Sequence, residues 1–136
     1  MSRILVIDDD DLVRRTVETM LRLAGHEVAL AVDGVDGLRQ FQQQPFDLVI
    51  ADIFMPNKEG IETVRELRRI TAQTPIITMT GSFPGPQRGG DLGNVDYLRM
   101  AQVFGATRTL SKPFSHHDLL KLVDECLGAG GANPTE

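Results

Sequence analysis

Apolar residues along this chain fall into two rhythms that alternate from end to end. Arg3–Ile7 is a short, β-branched and nearly unbroken apolar run, which predicts a strand covered on both faces. Val13, Val17, Leu21 and Ala24 then recur at helical spacing, with Gly25 as the C-terminal stop. Glu27–Ala31 predicts a second strand, and Asp33 is placed to cap a helix carrying Val35, Leu38 and Phe41 that ends before Pro45. Leu48–Ala51 predicts a third strand running into Asp52. Ile61, Val64, Leu67 and Ile70 outline a third helix, and Pro75–Met79 a fourth strand. Val95–Phe104 carries a weaker helical pattern. Arg108–Ser111 reads as a fifth strand and Leu119–Leu127 as a last amphipathic helix capped near Ser115. Strands alternating with helices imply an α/β fold, a parallel sheet with helices on both faces.

One interval breaks this rhythm. Thr80 to Lys112 spans 32 positions, where two loops and one average helix need only ~20. The excess lies in Ser82–Gly93, rich in glycine and proline and unsuited to regular structure.

Composition narrows the class without choosing a function. The 136 residues suffice for one domain, and 41% hydrophobic with 24% charged residues is ordinary for a globular chain. A net charge of −5 offers no broad basic field for nucleic acid or an anionic membrane. Apolar runs are too short to span a bilayer, and the single cysteine, Cys126, fits a reducing compartment, so a cytoplasmic location is expected. The expected domain covers residues 1–128 with an extended loop at about 82–93, and 129–136 is expected to be a disordered tail.

Chemistry concentrates where the strands end. Ligands of open parallel sheets bind outside the carboxyl ends of the strands, where the strand order reverses. The first strand ends there in Asp8 and Asp9, the third in Asp52, the fourth in Thr80 and the fifth in Lys112. Carboxylates crowded together raise one another's pKa and strain the fold unless a cation neutralises them. A hard ion such as Mg²⁺ does so and keeps water positions open to a phosphate oxygen. A carboxylate can also act as a nucleophile and form an aspartyl-phosphate. Asp10 and Asp11 need no such role, since they suit the cap and first turn of the following helix.

Four blocks, ILVIDDDD, DLVIADIFMPNKEG, PIITMTG and TLSKPF, occur in an order and over a span that resemble the receiver domain of bacterial two-component response regulators. The resemblance implies a flavodoxin-like, doubly wound five-stranded parallel sheet of order 2-1-3-4-5. It implies that Asp52 is the phosphoacceptor and a Mg²⁺ ligand, with Asp9 a direct ligand, Asp8 a ligand through water and Phe54 a ligand through its backbone carbonyl. Thr80 and Lys112 match the phosphate-sensing hydroxyl and lysine of the family. Met55, Pro56 and Gly60 match the loop after the phosphorylated strand, and Lys112–Pro113 matches a bond that is usually cis. The implied function is that of a stand-alone receiver. It would accept phosphate from a sensor histidine kinase or histidine phosphotransfer protein, and signal to a downstream protein with neither nucleic acid nor membrane as partner. It would turn over no substrate beyond its own phosphorylation and dephosphorylation.

The chain departs from the family pattern at Thr109, where an aromatic commonly moves with the phosphate-sensing hydroxyl. The loop at Ser82–Gly93, with Phe83 and Tyr97, is the candidate to carry the signal instead. Two alternatives remain: a degenerate receiver acting as a phosphorylation-independent binding module, and a Mg²⁺-dependent aspartyl-phosphate phosphatase. The second is disfavoured by Phe54, which stands where such enzymes need an acid. His26, His116 and His117 read as exposed bystanders, Cys126 as a packing residue, and Arg65, Arg68 and Arg69 as a solvated helix face.

Overall fold

A computed structural model describes residues 2–53, 59–80 and 105–131. Their strands are β1 (Arg3–Ile7), β2 (Glu27–Ala31), β3 (Leu48–Asp52), β4 (Ile76–Thr80) and β5 (Arg108–Ser111), and their helices α1 (Asp11–Leu23), α2 (Gly34–Gln43), α3 (Glu59–Ile70) and α4 (His116–Gly131). All neighbouring strands are parallel, in the order β2-β1-β3-β4-β5. The expected strand order and α/β class are therefore found.

The apolar runs work on both faces of the sheet, because successive side chains of a strand point to opposite sides. Ile4, Val6, Leu48, Ile50, Ile77, Met79 and Leu110 pack with Val17 and Leu21 of α1 and Leu119, Val123 and Cys126 of α4. Leu5, Ile7, Val49, Ala51 and Ile76 pack on the other side with Ile61, Val64 and Leu67 of α3, and with Leu38 and Phe41 of α2. Helices thus cover both faces. Each fully buried side chain of this kind contributes about 1.5–3 kcal/mol, more than any local helix preference.

Helix ends follow the local chemistry expected of them. The Asp10 side chain accepts from the backbone N–H of Leu12 and Val13 at the start of α1, and Asp33 does the same for Asp36 in α2. Ser115 caps α4: its Oγ accepts from Asp118 N, while Ser115 N donates to the Asp118 carboxylate. At the end of α1, Gly25 has φ 96. Its N–H bonds Arg22 O, and that of His26 bonds Leu21 O, closing the helix.

Several details differ from the sequence reading. β3 continues through Asp52 and β4 runs over 76–80, so Asp52 and Thr80 are the last residues of their strands. α4 starts earlier than Leu119 because of the Ser115 cap and reaches Gly131, three residues beyond the expected domain end. Val35 and Ile70 are exposed, lying off the buried stripe of their helices. His26 is half-buried, and among the described residues its Nδ1 is enclosed without a hydrogen-bond partner. Arg65 and Arg69 are exposed as expected, but Arg68 is a tie between elements. Its guanidinium donates to Gly105 O at 2.8 Å, Thr74 O at 2.6 Å and Thr107 Oγ1 at 3.2 Å, and burial pulls its pKa down. The long loop at 82–93, Phe83, Tyr97 and the helix expected over Val95–Phe104 lie outside the described residues, as do residues 132–136.

Candidate functional site

Strand order reverses between β1 and β3, so the crevice of this doubly wound sheet opens at the carboxyl ends of those two strands. Asp8 follows β1 directly, and Asp52 closes β3. Both are buried, whereas Asp9 is exposed. Carboxylate oxygens of Asp8, Asp9 and Asp52 all lie within 4.8 Å of one another. Four adjacent aspartates of the sequence are thereby sorted by geometry. Asp8 and Asp9 join the cluster, Asp10 turns to cap α1, and Asp11 pairs with Arg14 and Arg15.

Lys112 comes to the same point from the end of β5. Its Nζ is 3.3 Å from Asp8 Oδ2 and 3.4 Å from Asp52 Oδ2, bridging the two buried carboxylates. Its backbone N–H bonds Thr80 O at 2.8 Å, which ties the lysine to the end of β4. The Lys112–Pro113 bond is cis, as the resemblance implied.

Asp8 is held on every side. Its N–H bonds Ala31 O at 3.2 Å, its carbonyl accepts from Arg14 at 2.7 Å, and its Oδ1 accepts from Asp10 N at 2.8 Å. Lys112 takes Oδ2. Even so, burial pushes the Asp8 carboxyl above its ordinary value, with the negative charge of Asp9 adding to it; the Asp10 N–H and Lys112 offset only part of this. Three carboxylates facing one ammonium leave an excess of negative charge and an oxygen-only donor set, which fits a hard divalent cation that keeps several waters.

Thr80 is buried at the end of β4, and among the described residues its hydroxyl bonds Ser111 Oγ at 3.5 Å rather than the acidic cluster. Ser111 was not singled out by sequence; its place opposite Thr80 follows only from the pairing of β4 with β5. Thr109 pairs with Thr78 and is half-buried. Gly60, at the start of α3, comes so close to β3 that an added Cβ would run into the backbone of Asp52 and Ile53. Its lack of a side chain lets α3 begin directly beneath the acidic residue. Phe54, Met55 and Pro56 lie outside the described residues. His116 and His117 are exposed in the first turn of α4, and Cys126 is buried in the core. Arg14 also escaped the sequence reading. The available signal was a charge standing three residues before Val17 and seven before Leu21, on the buried stripe of α1.

Comparison with known proteins agrees with this fold. The response regulator receiver domain family matches residues 4–124. The chain is 36% identical over 120 residues to the transcriptional regulatory protein CpxR of Klebsiella pneumoniae, covering 88% of this chain and 47% of that protein. It is 32% identical over 127 residues to a CpxR homolog of Haemophilus influenzae, covering 93% of this chain and 51% of the relative. The chain thus spans about half the length of the curated relatives it matches. Among solved structures, a response regulator receiver domain protein of Clostridium thermocellum superposes with TM-score 0.81 at 30% identity, covering 93% of this chain and 94% of that one. The chemotaxis protein CheY4 of Vibrio cholerae gives TM-score 0.79 at 32% identity, covering 93% and 99%.

Proposed function

The chain belongs to the response regulator receiver family, and on that premise we propose that Asp52 accepts a phosphoryl group in a Mg²⁺-dependent reaction. The observation that carries the reading is the convergence of the Asp8, Asp9 and Asp52 oxygens within 4.8 Å, with Lys112 bridging the two buried acids. The donor is a phosphohistidine on a sensor kinase or a phosphotransfer protein. An Asp52 carboxylate oxygen attacks phosphorus, the donor's P–N bond breaks, and the imidazole nitrogen leaves with the electron pair. The Lys112 ammonium stands 3.4 Å from the Asp52 carboxylate, where it offsets negative charge at the attacking group.

Asp8, Asp9 and Asp52 would hold the Mg²⁺ ion, which would supply charge neutralisation to the phosphoryl oxygens. Lys112 stands ready to exchange its contact with Asp52 for one with a phosphoryl oxygen, as a compact charge at the end of β5. Thr80 exchanges its weak contact with Ser111 for another phosphoryl oxygen, and that exchange is what the rest of the domain reads. The domain acts on itself alone, transferring phosphate to Asp52 and later releasing it by hydrolysis. It signals from the cytoplasm through altered contacts with a downstream protein. Among the described residues no helix is long and apolar enough to cross a membrane.

Labelling with acetyl phosphate tests the reading directly. Intact-protein mass should show one added phosphate in the presence of Mg²⁺, lost on chelation and absent in Asp52→Asn. Labelling that persists in that variant, or none on either protein, would overturn it.

A further inference from the structure

We propose that Arg14 is a positioning residue for the divalent-cation site. By holding the carbonyl oxygen of Asp8, it fixes the peptide that leads into Asp9 and so aims the exposed carboxylate of the cluster. The inference rests on the Mg²⁺ reading above and adds to it a residue outside the ligand set.

Arg14 and Arg15 stand side by side on α1, yet they are built differently. Arg15 is 73% exposed and reaches Asp11 Oδ2 at 3.0 Å, an ordinary surface ion pair worth little. The Arg14 side chain is only 12% exposed. One arm of its guanidinium donates to Asp8 O at 2.7 Å and another to Asp11 Oδ1 at 2.8 Å. Such a fork holds two acceptors in a fixed relation, which a single ammonium does not.

The carbonyl it holds lies where guidance from the sheet ends. β1 stops at Ile7, and the last backbone bond to β2 is the one from Asp8 N to Ala31 O. Beyond it the peptide from Asp8 to Asp9 is planar, so its carbonyl oxygen and the Asp9 α-carbon move together. On the far side, Asp10 is fixed by its bond to Asp8 Oδ1 and by capping α1. Asp9 is suspended between these two anchors. Among the described residues no hydrogen bond or ion pair holds its carboxylate. Its direction is therefore set by its backbone, and Arg14 sets the backbone.

The sign of the effect separates this role from that of a nearby charge. A guanidinium beside a cation site repels the cation, so removing the charge alone tightens binding. Losing the positioning weakens it. Residues that orient metal ligands typically alter affinity by about 10–100-fold when replaced.

The experiment is a titration of the full chain with Mn²⁺, following the paramagnetic resonance of the free ion, for the wild type, Arg14→Lys and Arg14→Gln. Thermal melts without added ion establish that each variant is folded. Both variants should bind Mn²⁺ roughly 10-fold more weakly or worse, the lysine variant included although its charge is kept. Unchanged affinity in Arg14→Lys with tighter binding in Arg14→Gln would overturn the proposal and leave Arg14 as a charge only. Unchanged affinity in both would overturn it as well. Should the glutamine variant fail to fold, the lysine variant decides alone. A wild type that binds no Mn²⁺ would overturn the cation reading together with this inference, an outcome distinct from a wild type that binds and variants that match it.

Discussion

The ammonium of Lys112 stands 3.3 Å from Oδ2 of Asp8, a residue 104 positions earlier in the chain and without exposed surface. The pairing is incomplete compensation. Burial disfavours the Asp8 carboxylate more than Lys112 and the Asp10 N–H favour it, so its pKa lies above the ordinary 3.8. The fold therefore disfavours the charged form of Asp8 relative to the unfolded chain.

The pH dependence follows from that sign. Below 3.8 Asp8 is protonated in the folded and the unfolded chain alike, and no penalty exists. As pH rises the unfolded chain ionises first, and stability falls until the folded pKa has been passed. With chelator present, Asp8→Asn should melt above the wild type at neutral pH, and the difference should shrink as pH approaches 3.8. Saturating Mg²⁺ should raise the wild-type melting temperature and narrow the gap. A neutral-pH melt of Asp8→Asn at or below the wild type in chelator would contradict the argument.

Gly60 links the fold to the site. A Cβ there meets the carbonyl of Asp52 and the backbone of Ile53, groups that cannot move aside as a flexible side-chain tip could. Gly60→Ala should cost about 1–3 kcal/mol in urea unfolding, as overpacking does. It should also slow labelling of Asp52 by acetyl phosphate, because α3 and the end of β3 are pushed apart. Full stability together with normal labelling would show that the contact is easily relieved.

Gly105 has φ 122, and a Cβ on it would strike the Cγ of Arg68. Gly105→Ala combines backbone strain with disturbance of the tie from α3 to the approach of β5. A loss of about 1–3 kcal/mol is expected. Arg68→Lys, which removes the fork but leaves Gly105 unhindered, should lose less. Equilibrium unfolding of both variants checks the order, and the reverse order would assign the larger role to the guanidinium.

Cys126 is buried in the core that α4 shares with α1 and the sheet, and burial raises its thiol pKa above the ordinary value. Native protein should react with a thiol-specific disulfide reagent far more slowly than urea-unfolded protein, at a rate limited by opening of the fold. Rapid reaction of the native chain would place α4 in a looser state than the packing describes.

The sequence by itself determined the strands, most helix limits, the caps at Asp10 and Asp33, and the residues of the acidic site. These properties are local: apolar periodicity decides which faces are buried, and a capping side chain bonds a backbone group two or three residues away. The receiver resemblance, carried by four short blocks, also supplied the strand order. Tertiary structure decided what each site carboxylate meets: Asp8 is buried and faces Lys112 arriving from β5, Asp52 joins it from β3, and Asp9 stays exposed at the rim of the cluster. It decided, too, that Arg68 is a tie while Arg65 and Arg69 are exposed, and that Arg14 reaches the Asp8 carbonyl while Arg15 faces water. A side chain's local pattern fixes the side of the helix it leaves from. What it meets there depends on segments distant in sequence, and only folding brings those alongside.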